Sequence, residues 1–322
     1  MEAAVKQIMQ PYEPKTKKPV VHRAIFEAIK QRIKHWESDA TIIAGRFGSG
    51  KSVAVREALR GVQGVFVHSI KGADWEDKLF KRLGLAGPDM LEDVLCRVQA
   101  QLEKLGGLSK VPIIVLDIPR TTTEGLGIAS ERPDACFTWC SEVIVCASSA
   151  AMAMAFDAGG EQRQKNYWVE DFTDDEAKEF LALRGHREDW EQFVQACGYR
   201  ALDLDLTCGD YEGPATLAAK KEEMDKKARK EVLRFKDQCK IAGDTGKEIL
   251  EELLANRQAG KGADELCTAA SPKDVAMWIR ERGYHSVIWH TVKQEYQFAS
   301  ELHANAATEI LKSTPSRRHN WP

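Results

Sequence analysis

Gly45-Arg46-Phe47-Gly48-Ser49-Gly50-Lys51-Ser52 meets the phosphate-loop pattern G-x-x-x-x-G-K-[ST] at every fixed position. Each fixed residue type has a physical task. The glycines let the backbone curl so that successive N–H groups can point at one anion. Lys51 supplies a point charge for the β- and γ-phosphates, and Ser52 offers a hydroxyl to Mg²⁺. Context separates a working loop from a chance match: it has to leave a buried strand and open a helix. Thr41-Ile42-Ile43-Ala44 runs apolar into Gly45, and Val53, Val55, Ala58 and Leu59 make Ser52 to Leu59 read as a helix. Both flanks fit. Gly45 through Val53 are therefore expected to line a nucleotide, with Lys51 exposed in an anion cradle.

Outward from the loop, short apolar runs alternate with segments of helical periodicity. Strands are predicted at Thr41–Ala44, Val65–Ser69, Val111–Leu116, Glu142–Ala147 and Asn166–Val169. The intervening repeats, such as Trp75, Leu79, Leu83 and Leu91, Val94, Leu95, Val98, Leu102, have helical spacing. That alternation predicts an α/β fold, a P-loop-type parallel sheet with helices on both faces. Strand order is not readable from the pattern.

A phosphate loop needs an acid on its metal side. Ile113-Ile114-Val115-Leu116-Asp117 is an apolar strand ending in a carboxylate, which a parallel sheet would bring beside Ser52. Asp117 and Ser52 are the expected Mg²⁺ residues, and ATP with Mg²⁺ the expected ligands. A catalytic Glu would be useful directly after Asp117, but Ile118 and Pro119 stand there. Glu124, in Thr121-Thr122-Thr123-Glu124-Gly125, is the nearest substitute, and a solvated loop carboxylate is its other role. Arg120 is read as a surface residue, or as one that reaches the phosphates or a neighbouring subunit. Ser148 and Ser149, after Val143–Ala147, can cap a helix, and in the additional-strand ATPases that this layout resembles a polar residue here senses the γ-phosphate.

These features resemble the STAND and AAA+ side of the additional-strand P-loop ATPases, including the groups in eukaryotic effector and retrotransposon-hot-spot-like proteins. The loop, the strand ending at Asp117, the Ser148-Ser149 end and Trp168-Val169-Glu170-Asp171-Phe172-Thr173-Asp174-Asp175-Glu176-Ala177 carry the resemblance. Val21-His22-Arg23 sits where these families carry a V-x-R segment, which implies Arg23 near the adenine. The resemblance also implies a helical lid and then a winged helix. The chain departs from it at the missing Glu and at Gly198-Tyr199-Arg200, where Arg200 replaces a lid proline.

The expected organisation is a flexible tether at 1–19, a nucleotide-binding domain at 20–170, a helical lid at 171–213, a long helix with a winged-helix-like module at 214–312, and a disordered tail at 313–322. Thr173 and Glu176 form a capping-box pattern at the lid's first helix. Met224, Ala228, Val232, Phe235 and Cys239 form one stripe on a helix from Pro214 to about Ile241, expected to be a solvated linker. A helix at 271–282, a ribbon at Ser286–Thr291 and Glu295–Phe298, and a helix from Glu301 to Leu311 follow the winged-helix order. Lys273, Arg280 and Arg282 oppose Asp274 and Glu281, which is thin charge for a recognition helix.

Composition bounds the rest. The 322 residues are 43% apolar and 30% charged with a formal charge of -3, so no global field favours nucleic acid or a membrane surface. The N-terminus has no secretion-signal layout, and an intracellular site, cytoplasmic or nuclear, is expected. The eight cysteines contain no C-x-x-C and are expected to be reduced thiols rather than zinc ligands. Two functions follow: a nucleotide-dependent switch or slow ATPase with a protein partner or second copy, or an ATP-regulated nucleic-acid-binding protein.

Overall fold

The computed structural model describes residues 1–15, 18–36, 40–72, 74–118, 141–147, 164–239, 243–260, 285–293 and 295–313. The chain divides into two compact units, Met1–Phe180 and Leu181–Pro322.

The first unit is built on five parallel strands: β1 (Ala40–Gly45), β2 (Val65–Ser69), β3 (Ile113–Ile118), β4 (Glu142–Ala147) and β5 (Gln164–Val169). Their order is β2-β3-β4-β1-β5. β4 thus lies between β1 and β3, pairing Ile42 with Val145 on one side and Asp117 with Cys146 on the other. Parallel strands covered on both faces bury nearly every side chain, which is why they read as continuous apolar runs. Residues alternate between two cores. Ile114 and Leu116 face the layer of α1 (Glu2–Ile8), α4 (Trp75–Leu83) and α5 (Pro88–Leu105). Ile113 and Val115 face α2 (Ala24–Lys34) and α3 (Lys51–Ala58).

The expected tether at 1–19 is corrected. α1 buries Ala4, Val5 and Ile8 in the first core and packs on α5. The backbone that follows is tied down by hydrogen bonds from Gly64 N to Ile8 O and from Tyr12 N to Val62 O. The apolar spacing at 4, 5 and 8 was outweighed in the sequence by the prolines that follow it. The first unit therefore runs from residue 1, and reaches into α6 (Asp174–Leu183). The predicted capping box at α6 is present: Glu176 N donates to Thr173 Oγ1 at 3.2 Å, and Thr173 N to Glu176 Oε2 at 3.1 Å.

The second unit contains α7 (Trp190–Cys197), α8 (Ala201–Gly209), α9 (Pro214–Gln238), α10 (Thr245–Gln258), the antiparallel ribbon β6 (Val287–His290) with β7 (Glu295–Phe298), and α11 (Glu301–Ser313). The long helix α9 is no solvated linker. It packs against α7, α10 and α11, and its stripe of Leu217, Met224, Ala228, Val232 and Phe235 is buried. α7, α8 and the long helix therefore share one unit instead of dividing at 213. The turn from α9 into α10 requires glycine at 246, where a Cβ would sit 2.3 Å from the Phe235 carbonyl oxygen. The ribbon and last helix match their predicted positions closely. The predicted helix at 271–282 and the tail at 313–322 lie outside the described residues, except Ser313, which ends α11. A winged helix is not established by what remains.

Candidate nucleotide site

The loop leaves β1 at Gly45, whose φ of 149° is open only to glycine, and a Cβ there would lie 2.6 Å from the Val169 carbonyl oxygen of β5. Gly48 and Gly50 also have positive φ, at 83° and 97°. Gly50 caps α3 in the left-handed conformation, and no side chain caps the first turn. The N–H groups of that turn lie at the positive end of the helix dipole, an arrangement that favours an anion. The loop thus forms the predicted strand–loop–helix, with α3 starting at Lys51.

Lys51 corrects the expectation of an exposed cation. It is 4% exposed, and its Nζ donates to the carbonyl oxygens of Gly45 at 2.9 Å and Arg46 at 2.6 Å. Burial pushes its pKa down to about 8. The ammonium is folded into the loop's own carbonyls, and the nearby Asp117 and Asp171 charges offset only part of the cost of burial. Phe47, by contrast, is 46% exposed, and Val53 faces outward although it was counted in the helix's apolar set. Ser49 is fully buried, with its hydroxyl 3.1 Å from the place a Gly45 Cβ would take.

Asp117 is where its strand was expected to bring it. Its Oδ1 accepts from Ser52 Oγ at 3.0 Å, although β4 separates β3 from β1. Its Oδ2 accepts from Arg56 Nη2 at 2.8 Å. Sequence reasoning missed Arg56. The signal was available: Ser52 and Arg56 are four apart on one helix and share a face. Among the described residues no group of three His, Cys, Asp or Glu side chains is placed to hold a metal ion. A Mg²⁺ ion at Ser52 and Asp117 would draw its other ligands from phosphate oxygens and water, which is the usual habit of that ion.

Two further arginines brace the loop. Arg23, implied to lie near an adenine, is buried, with Nη1 donating to Ser49 O at 3.1 Å and Nη2 to Glu170 O at 2.9 Å and Asp171 O at 3.2 Å. Its Nε pairs with Glu176 Oε2 at 3.2 Å, and its guanidinium lies 5.0 Å from the Phe172 ring centroid. Arg46 pairs with the Asp171 carboxylate. The loop is thus tied to the segment between β5 and α6. Asp171, which sequence reasoning quoted only within a longer resemblance, is a partner of the loop itself.

Ile118, in the position of the missing Glu, is 1% exposed and packed in the first core. Pro119, Arg120, Glu124, Ser148 and Ser149 lie outside the described residues. Of the described cysteines, Cys146, Cys197 and Cys239 are buried, Cys208 half-buried and Cys96 exposed, all as free thiols. No helix among the described residues is long and apolar enough to cross a membrane. No family model matches the chain, and no curated protein sequence matches it.

Proposed function

We propose that the chain is a Mg-ATP-binding P-loop protein that works as a nucleotide-operated switch with slow hydrolysis, in the manner of the additional-strand ATPases. The observation that carries this reading is the 3.0 Å contact between Ser52 Oγ and Asp117 Oδ1 across an intervening strand. It joins the loop serine to the strand-end acid in a sheet whose order has one strand inserted between theirs. The buried, carbonyl-bound Lys51 and the uncapped first turn of α3 support it from the phosphate side.

The switch rests on the arginines. A triphosphate competing for Arg46 would loosen its pair with Asp171, and Arg23 ties Ser49 of the loop to Glu176 in the first turn of α6. Occupancy of the loop therefore has a direct mechanical path to that helix. Slow turnover follows from the buried Ile118 beside Asp117. Loss of a positioned general base typically costs about 10²–10⁴ in rate. The nucleic-acid reading has no comparable support, since its candidate helix lies outside the described residues.

The test is nucleotide titration followed by γ-phosphate release, with and without DNA. ATP should bind, and release should run well under about 1 s⁻¹, below the usual enzyme range. Glu124→Gln should leave that rate almost unchanged unless Glu124 is the stand-in base, in which case the rate falls further. Fast release by the isolated chain, or no ATP binding, would count against the proposal.

A further inference from the structure

The Mg²⁺ side of the loop already holds a cation. Ser52 and Arg56 stand four residues apart on α3 and meet the same carboxylate, one oxygen each, at 3.0 Å and 2.8 Å. We propose that Arg56 is a built-in counter-ion for Asp117, so that the site holds a nucleoside triphosphate without a divalent cation nearly as well as with one. This rests on the nucleotide reading above.

The charges decide it. Around the loop, Arg46 is paired with Asp171 and Arg56 with Asp117, which leaves Lys51 as a cation bonded only to carbonyls. An unpaired Asp117 would repel a triphosphate, and a divalent ion would be needed to bridge the two. Arg56 offsets that repulsion without metal. It is also a poor group to displace: the guanidinium is always charged, and Mg²⁺ gives up its water reluctantly and demands near-octahedral ligands. Arg56 is one-third exposed while Asp117 is 16% exposed. Its outer face thus meets solvent, and its replacement leaves the two cores untouched.

The experiment is calorimetric titration of ATP into the full chain, once with excess Mg²⁺ and once with EDTA. The parent should show affinities within about threefold of each other, and Arg56→Gln should widen the ratio to at least about tenfold (~1.4 kcal/mol). Arg56→Lys, which keeps the charge, should stay close to the parent. A parent ratio already above about tenfold, or equal ratios in parent and Arg56→Gln, overturns the counter-ion role and leaves nucleotide binding standing. No binding heat from the parent in either buffer overturns the nucleotide reading, and this inference with it.

Discussion

The two ends of β1 both border buried charge, and they handle it in opposite ways. At the carboxyl end, Lys51, Arg46 and Arg23 are each held by carbonyl or carboxylate oxygens. At the amino end, Arg32 Nε donates to Thr41 Oγ1 at 3.1 Å, and Thr41 Oγ1 donates to Glu142 Oε1 at 3.1 Å. Glu142 Oε2 has no hydrogen-bond partner among the described residues, and the side chain is fully buried. Burial pushes its pKa up to about 7, against the lowering pull of the Thr41 hydroxyl and the Arg32 charge. One end is a set of cations held by oxygen partners, which under the proposed function a phosphate would replace. The other is an acid that folding has half-satisfied. Buried charge alone therefore does not mark a site; the exchangeability of its partners does.

The sharpest break of this contrast is Lys51→Ala. It removes two charge-assisted hydrogen bonds available to phosphate, so ATP affinity should fall about 10³-fold, or ~4 kcal/mol. Because Lys51 is buried and donates to the Gly45 and Arg46 carbonyl oxygens, the variant leaves those acceptors unpaired, and affinity is compared well below its thermal midpoint. Equal ATP affinity in mutant and parent would end the phosphate-loop claim.

Glu142→Gln should do the reverse, changing stability and leaving ATP affinity alone. A carboxyl raised from 4.5 to about 7 costs stability as pH rises through that window, since the folded state holds the proton that the unfolded state releases. Chemical denaturation should find the variant more stable than the parent by about 3 kcal/mol at pH 8, and the gain should vanish near pH 4. A gain independent of pH would show that Glu142 is not the buried acid responsible.

Asp117→Asn returns to the ligand end with a smaller effect. Affinity for ATP with Mg²⁺ should drop about tenfold, while affinity in EDTA should hold or rise because Arg56 loses its anion. A parallel fall in both would make Asp117 a structural residue. Smallest of the four is Thr173→Ala, which removes one member of the capping box at α6. It should cost about 1 kcal/mol in denaturation with ATP affinity unchanged, showing that part of the ligand end is plain helix capping.

Much of the ligand end was legible because its signals are local. The loop residues are contiguous, and Asp117 announces itself by ending an apolar strand. Thr173 and Glu176 are three apart, and their reciprocal hydrogen bonds formed as the pattern predicts. Arg56 was legible in principle from its spacing to Ser52 but carries no motif of its own. The pairing of Arg46 with Asp171 spans 125 positions, and nothing in either neighbourhood names the other. Glu142 opens an apolar strand, a position where a charge is a warning. Its partner Thr41, however, lies 101 residues away and becomes a neighbour only when β1 and β4 pair.

Sequence by itself determined the local matters. These were the glycine curve of the loop, the period that separates strands from helices, the strand-end acid and the ribbon near the C-terminus. Steric and hydrogen-bond preferences over a few residues suffice for those. Tertiary structure alone decided the strand order that seats β4 between loop and acid, the docking of α1 onto α5, and the burial of one stripe of α9 against α7, α10 and α11. It also decided that Lys51 is buried and that Asp117 meets Arg56. Each of these depends on which surfaces meet after collapse. The free energy of that meeting comes from area removed from water and from long-range charge, neither of which a short window of sequence contains.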